Sequence, residues 1–180
     1  MIRTGDWIQT YTGKVFYPLD PRPEEIDIID IAHALSTTNR FGGHAEPPVS
    51  VAEHSVNVSM YVPRHAAIEG LMHDAAEAYI GDVTRPIKPA LNGFKAIESK
   101  IMRVISEKYG LNEKYLHGVV KHIDDRVLAT EGRQVMVWPP PKDWLLETEP
   151  IVGLKVECLP WYMAKVLFLK RFYELKEQSK

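Results

Sequence analysis

The chain has 180 residues, a length suited to one domain, with 45% apolar and 26% charged side chains and a formal charge of -2. That balance excludes a basic grip on nucleic acid spread over the surface, and no run nears the roughly 18 apolar residues of a membrane-spanning helix. Cys158 is the lone cysteine, which excludes an intrachain disulfide and any multi-cysteine metal site. With no secretory pattern at the N-terminus, the expectation is a cytoplasmic domain that binds neither membrane nor nucleic acid.

Residues 1–25 read as an irregular or β-like appendage. Trp7, Tyr11, Val15 and Tyr17 alternate loosely with Thr and Gly, while Pro18, Pro21 and Pro23 forbid a helix. From Ile26 to Thr37 apolar residues recur with helical spacing. Residues 37–48, with Gly42, Gly43, Pro47 and Pro48, form a loop. Ser50 and Glu53 fit a capping box that starts a helix running to Tyr61. Pro63 ends it, and a second helix is predicted over 66–80, stopped by Gly81. After a loop fixed by Pro86 and Pro89, helices follow over 94–109 and 113–135, the first closed by Gly110 and the second by Pro139, Pro140 and Pro141. Residues 144–156 are mixed, and Pro160 opens a terminal helix reaching Lys176. The fold class is all-α, a helical bundle in one domain, with a core over 26–135 and a C-terminal extension and helix over 139–180.

His73-Asp74 is the sharpest local feature, a polar pair in a helix otherwise rich in small and apolar residues. Such groups are costly to bury unless they are paired or bind metal. His54 lies on the preceding helix, and a later helix carries Lys121-His122-Ile123-Asp124-Asp125. Two imidazoles and two carboxylates from three packed helices can surround one divalent cation, and nitrogen with oxygen donors suits Mn, Co, Ni, Fe or Zn. Glu77, four residues after His73, projects from the same helix face, where a carboxylate can orient an attacking water. A single His or Asp on a helix is more often a surface or satisfied core residue, so the residues alone leave both readings open.

The spacing of His54, His73-Asp74 and Asp124 resembles the HD superfamily of metal-dependent phosphohydrolases. Glu53-His54-Ser55, the run His73-Asp74-Ala75-Ala76-Glu77-Ala78-Tyr79-Ile80-Gly81-Asp82, and Pro86-Ile87-Lys88 are similar to the bacterial 5'-deoxynucleotidase branch. Compact phage-type dATP triphosphohydrolases are similar in length and motifs. The resemblance covers roughly Ile26 to Arg133 and implies an HD-type bundle over 26–135. It implies metal ligands His54, His73, Asp74 and Asp124, with Asp125 a competitor for the last place. Asp124 is preferred because Ile123 precedes it and because Glu131, seven residues on, shares its face. By the same resemblance Glu77 orients the attacking water, Asp82 contacts the sugar or positions the site, and Arg40, fourteen residues before His54, meets phosphate by a charge-assisted contact. Lys88 adds positive charge, against the simpler reading of a solvated lysine.

The implied activity is hydrolysis of a deoxynucleotide phosphoester. The preferred form is a dATP or dNTP triphosphohydrolase releasing deoxynucleoside and triphosphate; the alternatives are a 5'-deoxynucleotidase acting on dNMPs and a non-catalytic nucleotide-binding regulator. The implied cofactor is one divalent transition metal, with additional Mg alongside a triphosphate, and the implied assembly is a homo-oligomer in a bacterial cell or a phage-infected host. Trp7, Tyr17, Pro18 and Leu19 offer a wall for a nucleobase, or else core or oligomer packing. His44, in the Gly-rich loop after Arg40, is a further substrate candidate, whereas His33, on the apolar stripe of the first helix, reads as a packed core residue. Trp161, Tyr162, Phe168, Phe172 and Tyr173 make the last helix aromatic, a pattern that is more often core than interface.

Overall fold

The computed structural model describes residues 3–142, 144 and 148–178, so part of the mixed segment over 144–156 lies outside the described residues. It is mostly helical, with one small antiparallel sheet near the N-terminus. Strands β1 (Ile8–Gln9) and β2 (Val15–Phe16) pair with Ile8 opposite Phe16 and Gln9 opposite Val15. This hairpin is less of an appendage than expected. Phe16 is fully buried and stacks on Tyr79 with ring centroids 3.9 Å apart, a contact of about 1.5–3 kcal/mol from burial alone. At the hairpin turn, Thr12 donates through its backbone N–H and its hydroxyl to the buried Asp30 carboxylate.

Helix α1 (Ile28–Thr37) starts two residues later than the apolar spacing suggested, because Asp27 is the cap and accepts from the Ile29 N–H at 2.9 Å. It buries Ile28, Ile31, Ala32 and Leu35 against α8 (Trp161–Glu177) and α2 (Val51–Tyr61). In α8 the apolar side divides: Phe168 and Phe172 are buried, whereas Trp161, Tyr162 and Tyr173 stay exposed. The long helix α5 (Phe94–Tyr109) has the predicted bounds and ends where Gly110 adopts φ 67, a left-handed turn that glycine makes without steric cost.

Two predicted helices are interrupted. The first becomes α3 (Ala67–Met72) and α4 (Glu77–Ile80). Between them the backbone stays right-handed, but bonds run to the third residue back, as in Ala75 N to Met72 O and Glu77 N to Asp74 O. The bonding there is local: the Gly70 carbonyl, which an α-helix would offer to the Asp74 N–H, accepts from His73 Nδ1 at 2.9 Å. The second becomes α6 (Glu113–Tyr115), a π-helical segment Leu116–Val120, and α7 (Lys121–Val135). The extra residue of a π turn shifts the phase of the following helix by about 100°. In α7, Ile123 and Val127 face the core.

The capping box is only half formed. Ser50 accepts from the Glu53 N–H at 3.2 Å, but the Glu53 carboxylate does not return to its own helix. It accepts instead from three consecutive N–H groups, Glu157 at 2.8 Å, Cys158 at 3.0 Å and Leu159 at 2.7 Å. Cys158 has φ 53, and such a reversal makes neighbouring N–H groups converge on one anion. The extension is also held to α7: Arg126 donates to the Glu149 and Pro150 carbonyls, Thr130 Oγ1 accepts from Ile151 N, and the Gln134 amide bonds both Leu154 O and Val156 N.

Candidate metal centre

Three helices bring two imidazoles and a carboxylate together. His54 sits in the first half of α2, His73 follows the last residue of α3, and Asp124 lies in the first turn of α7. The Nε2 atoms of His54 and His73 are 3.3 Å apart, and Asp124 Oδ1 is 3.1 Å from the first and 3.7 Å from the second. One ligand atom from each residue lies within 4.8 Å of the other two. Asp74 stands beside this triad, its Oδ2 3.2 Å from His73 Nε2 and 3.8 Å from His54 Nε2.

The donor set fits a cation. His73 Nδ1 bonds the Gly70 carbonyl, which accepts only, so that nitrogen carries the hydrogen and Nε2 is left as a lone pair. That lone pair points at another imidazole nitrogen and at carboxylate oxygens. Converging lone pairs repel unless a proton or a metal ion lies among them. The protonation energetics agree. Burial opposes charge on His73, but Asp74 and Asp124 raise its pKa well above the ordinary imidazole value. For His54, burial and Arg40 work against a raised pKa, and Glu131 and Asp124 prevail. Burial also disfavours the charged forms of Asp124 and Asp74, yet the imidazoles hold both carboxyls well below their usual range.

The last-ligand competition falls to Asp124. Asp125 turns away and pairs with Arg85 at 2.9 Å and Lys121 at 2.6 Å. Lys121 also reaches Asp124, but through Oδ2, leaving Oδ1 to the histidines.

Glu77 is buried in the first turn of α4. Burial, then Asp74 and Asp82, raise its carboxyl pKa to about 9, offset only in part by Lys88 and Arg40. Burial likewise raises Asp82, with Asp74 adding to it. Lys88 is engaged with two carboxylates, Glu98 at 2.9 Å and Glu77 at 3.4 Å, rather than solvated alone.

Arg40 is buried, in a short turn (Arg40–Gly43) after α1. Its Nε donates to Glu131 Oε2 at 2.8 Å and its Nη1 lies 3.8 Å from Asp74. Glu131 is fully buried, and its other oxygen lies 2.9 Å from His54 Nδ1. Sequence reading used Glu131 only as a marker of the Asp124 face; that shared face was the signal for its place in the site.

Other candidates lie elsewhere. His44 is exposed in the loop after Arg40. The Trp7 N–H bonds Asp6, and Leu19 packs near Gly5 while its carbonyl accepts from Lys100. None of these bonds is to a residue of the triad. His33 is half-buried rather than core, stacked on Tyr11 at 3.8 Å with Trp161 edge-on.

Among the described residues, no helix is long and apolar enough to cross a membrane. No protein-family model matches the chain. An uncharacterized protein of Rhodobacter capsulatus is 31% identical over 115 residues, 58% of this chain and 59% of that protein. The uncharacterized protein YfdR of Escherichia coli is 39% identical over 181 residues, 97% of this chain and 98% of YfdR. Similarity at that level over nearly the whole of both chains places this protein in the YfdR family.

Proposed function

We propose that this protein is a divalent-metal-dependent hydrolase of deoxynucleotide phosphoesters in the HD superfamily, splitting dATP or another dNTP into deoxynucleoside and triphosphate. The observation that carries the reading is the convergence of His54 Nε2, His73 Nε2 and Asp124 Oδ1 within 4.8 Å, beside a buried glutamate and a buried arginine. His54, His73 and Asp124, joined by Asp74, would hold one Mn, Co, Ni, Fe or Zn ion. Such an ion, when bound, polarises a phosphoryl oxygen and lowers the pKa of a coordinated water.

The protein's own residues do the rest. Glu131 occupies Arg40 Nε, leaving the Nη groups of Arg40 to meet phosphate oxygens and offset charge that grows there. A cation held beside Asp74 would offset the repulsion that adds to burial in raising Glu77, so that its carboxylate orients the attacking water and takes its proton as the water oxygen joins phosphorus and the 5'-oxygen leaves. Lys88 holds Glu77 through its Oε1 at 3.4 Å, and Asp82 supports the sugar. An additional Mg ion would accompany a triphosphate. Exposed Trp161, Tyr162 and Tyr173 support a homo-oligomer, and the substrate reading suits the cytoplasm.

Product analysis on dATP, dAMP and ATP, each with Mn, Co or Mg, tests this. Deoxyadenosine and triphosphate from dATP, abolished in Asp124→Ala, are the expected result. Cleavage of dAMP alone replaces the triphosphohydrolase reading with a 5'-deoxynucleotidase. Nucleotide binding without cleavage under any condition refutes a hydrolase and leaves a regulator.

A further inference from the structure

The Glu131 carboxylate is fully buried on α7 and bonds with both oxygens: Oε1 to His54 Nδ1 at 2.9 Å and Oε2 to Arg40 Nε at 2.8 Å. A carboxylate is an acceptor, so the hydrogen of this bond sits on His54 Nδ1. That choice decides what the ring offers on its far side, because a neutral imidazole with Nδ1–H keeps its lone pair on Nε2. His54 Nε2 is the atom 3.1 Å from Asp124 and 3.3 Å from His73 Nε2. The other tautomer would turn a lone pair toward a buried carboxylate and an N–H into the cluster.

We infer that Glu131 is the positioning residue of this site, locking His54 in the Nδ1–H tautomer so that Nε2 faces the cation, and holding Arg40 by Nε so that Nη1 points toward Asp74. The inference rests on the metal-site reading above. Neither near-isostere can replace Glu131. A glutamine would present its N–H groups to a donor, Arg40 or His54, and an aspartate is shorter by one methylene, about 1.5 Å. The residues on either side of Glu131 are engaged with the extension. Trp144 occupies the space beside Gly132 where a side chain would begin, and Thr130 is bonded to Ile151. His73 is held separately, by the Gly70 carbonyl. The two histidines are therefore set by different partners, and loss of Glu131 should be felt by one of them only.

The test is Glu131→Gln in the full chain, with Glu131→Asp as a second variant, each read by Zn titration and by long-range proton–nitrogen NMR of histidine-labelled, Zn-loaded protein. A group that hydrogen-bonds the far nitrogen of a metal-bound histidine is worth about 10–100-fold in metal affinity, and a loss of that size is expected in Glu131→Gln. The His54 Nδ1–H resonance should shift or broaden while that of His73 stays in place, a selectivity that general loosening would not give. Should Glu131→Gln fail to fold, Glu131→Asp is read by the same two signals. Zn affinity within about twofold of wild type in a folded variant, or equal changes at both histidines, overturns the role of Glu131. Wild-type protein that takes up no Zn refutes instead the metal reading beneath it.

Discussion

Replacing Glu53 by alanine removes the acceptor that holds the C-terminal extension at the N-terminus of α2. The carboxylate is 3% exposed, accepts from Glu157, Cys158 and Leu159, and forms no ion pair with Lys or Arg among the described residues. Bonds to a charged acceptor exceed ordinary ones, and an orphaned buried donor costs about 1–3 kcal/mol. Glu157 is exposed and the other two are half-buried, so water can recover part of the loss. The lower bound of about 1 kcal/mol for each N–H gives about 3 kcal/mol. Loss of a negative charge in the first turn of α2 adds about 0.3–1 kcal/mol. For a domain of this size, 1 kcal/mol moves the midpoint by about 2–4 °C, so Glu53→Ala should lower Tm by roughly 6–16 °C. Urea unfolding measures the loss, and hydrogen exchange locates it. A loss under about 1 kcal/mol, or unchanged protection at 157–159, would refute the reasoning.

Asp124→Ala should abolish Co or Mn binding by calorimetry. Asp125→Ala, which severs only the pairs to Arg85 and Lys121, should bind within about twofold of wild type; equal losses would return the last ligand place to contest. Glu77 predicts a pH dependence of stability in metal-free protein. Its folded pKa of about 9 lies above the ordinary 4.5, so the folded state keeps a proton that the unfolded chain releases. Stability from this group therefore falls as pH rises from about 5 to about 9, by up to about 1.4 kcal/mol per pH unit. Glu77→Gln should remove that share of the slope in urea midpoints taken at pH 5.5 and 8, and parallel slopes for the two proteins would contradict it.

Local rules carried much of the architecture. Helices α2, α5 and α8 were legible because each is bounded by residues whose effect is confined to one turn: Ser50 and Pro63, Gly110, and Pro160. The approach of His54, His73 and Asp124 was legible only in part. The residue types and spacings offered a metal site, but a polar pair on a helix is equally consistent with an ordinary surface. Only the packing of α2, α3 and α7 brings the two Nε2 atoms and Oδ1 within 4.8 Å of one another.

What stayed hidden is what long-range packing decides. The rerouting of Glu53 depends on a segment 104 to 106 residues away, and the buried pairing of Arg40 with Glu131 on a separation of 91 residues. Periodicity and capping report forces that act within a few residues. A buried charge is stable only beside its partner, and that partner is chosen by the packing of the whole chain. The near-neutral sequence with one cysteine and seven histidines was enough to indicate a helical domain with a His and Asp motif. The tertiary structure alone set Asp124 rather than Asp125 beside the histidines and brought Glu131 behind His54, because each choice puts a buried charge beside a group that offsets it.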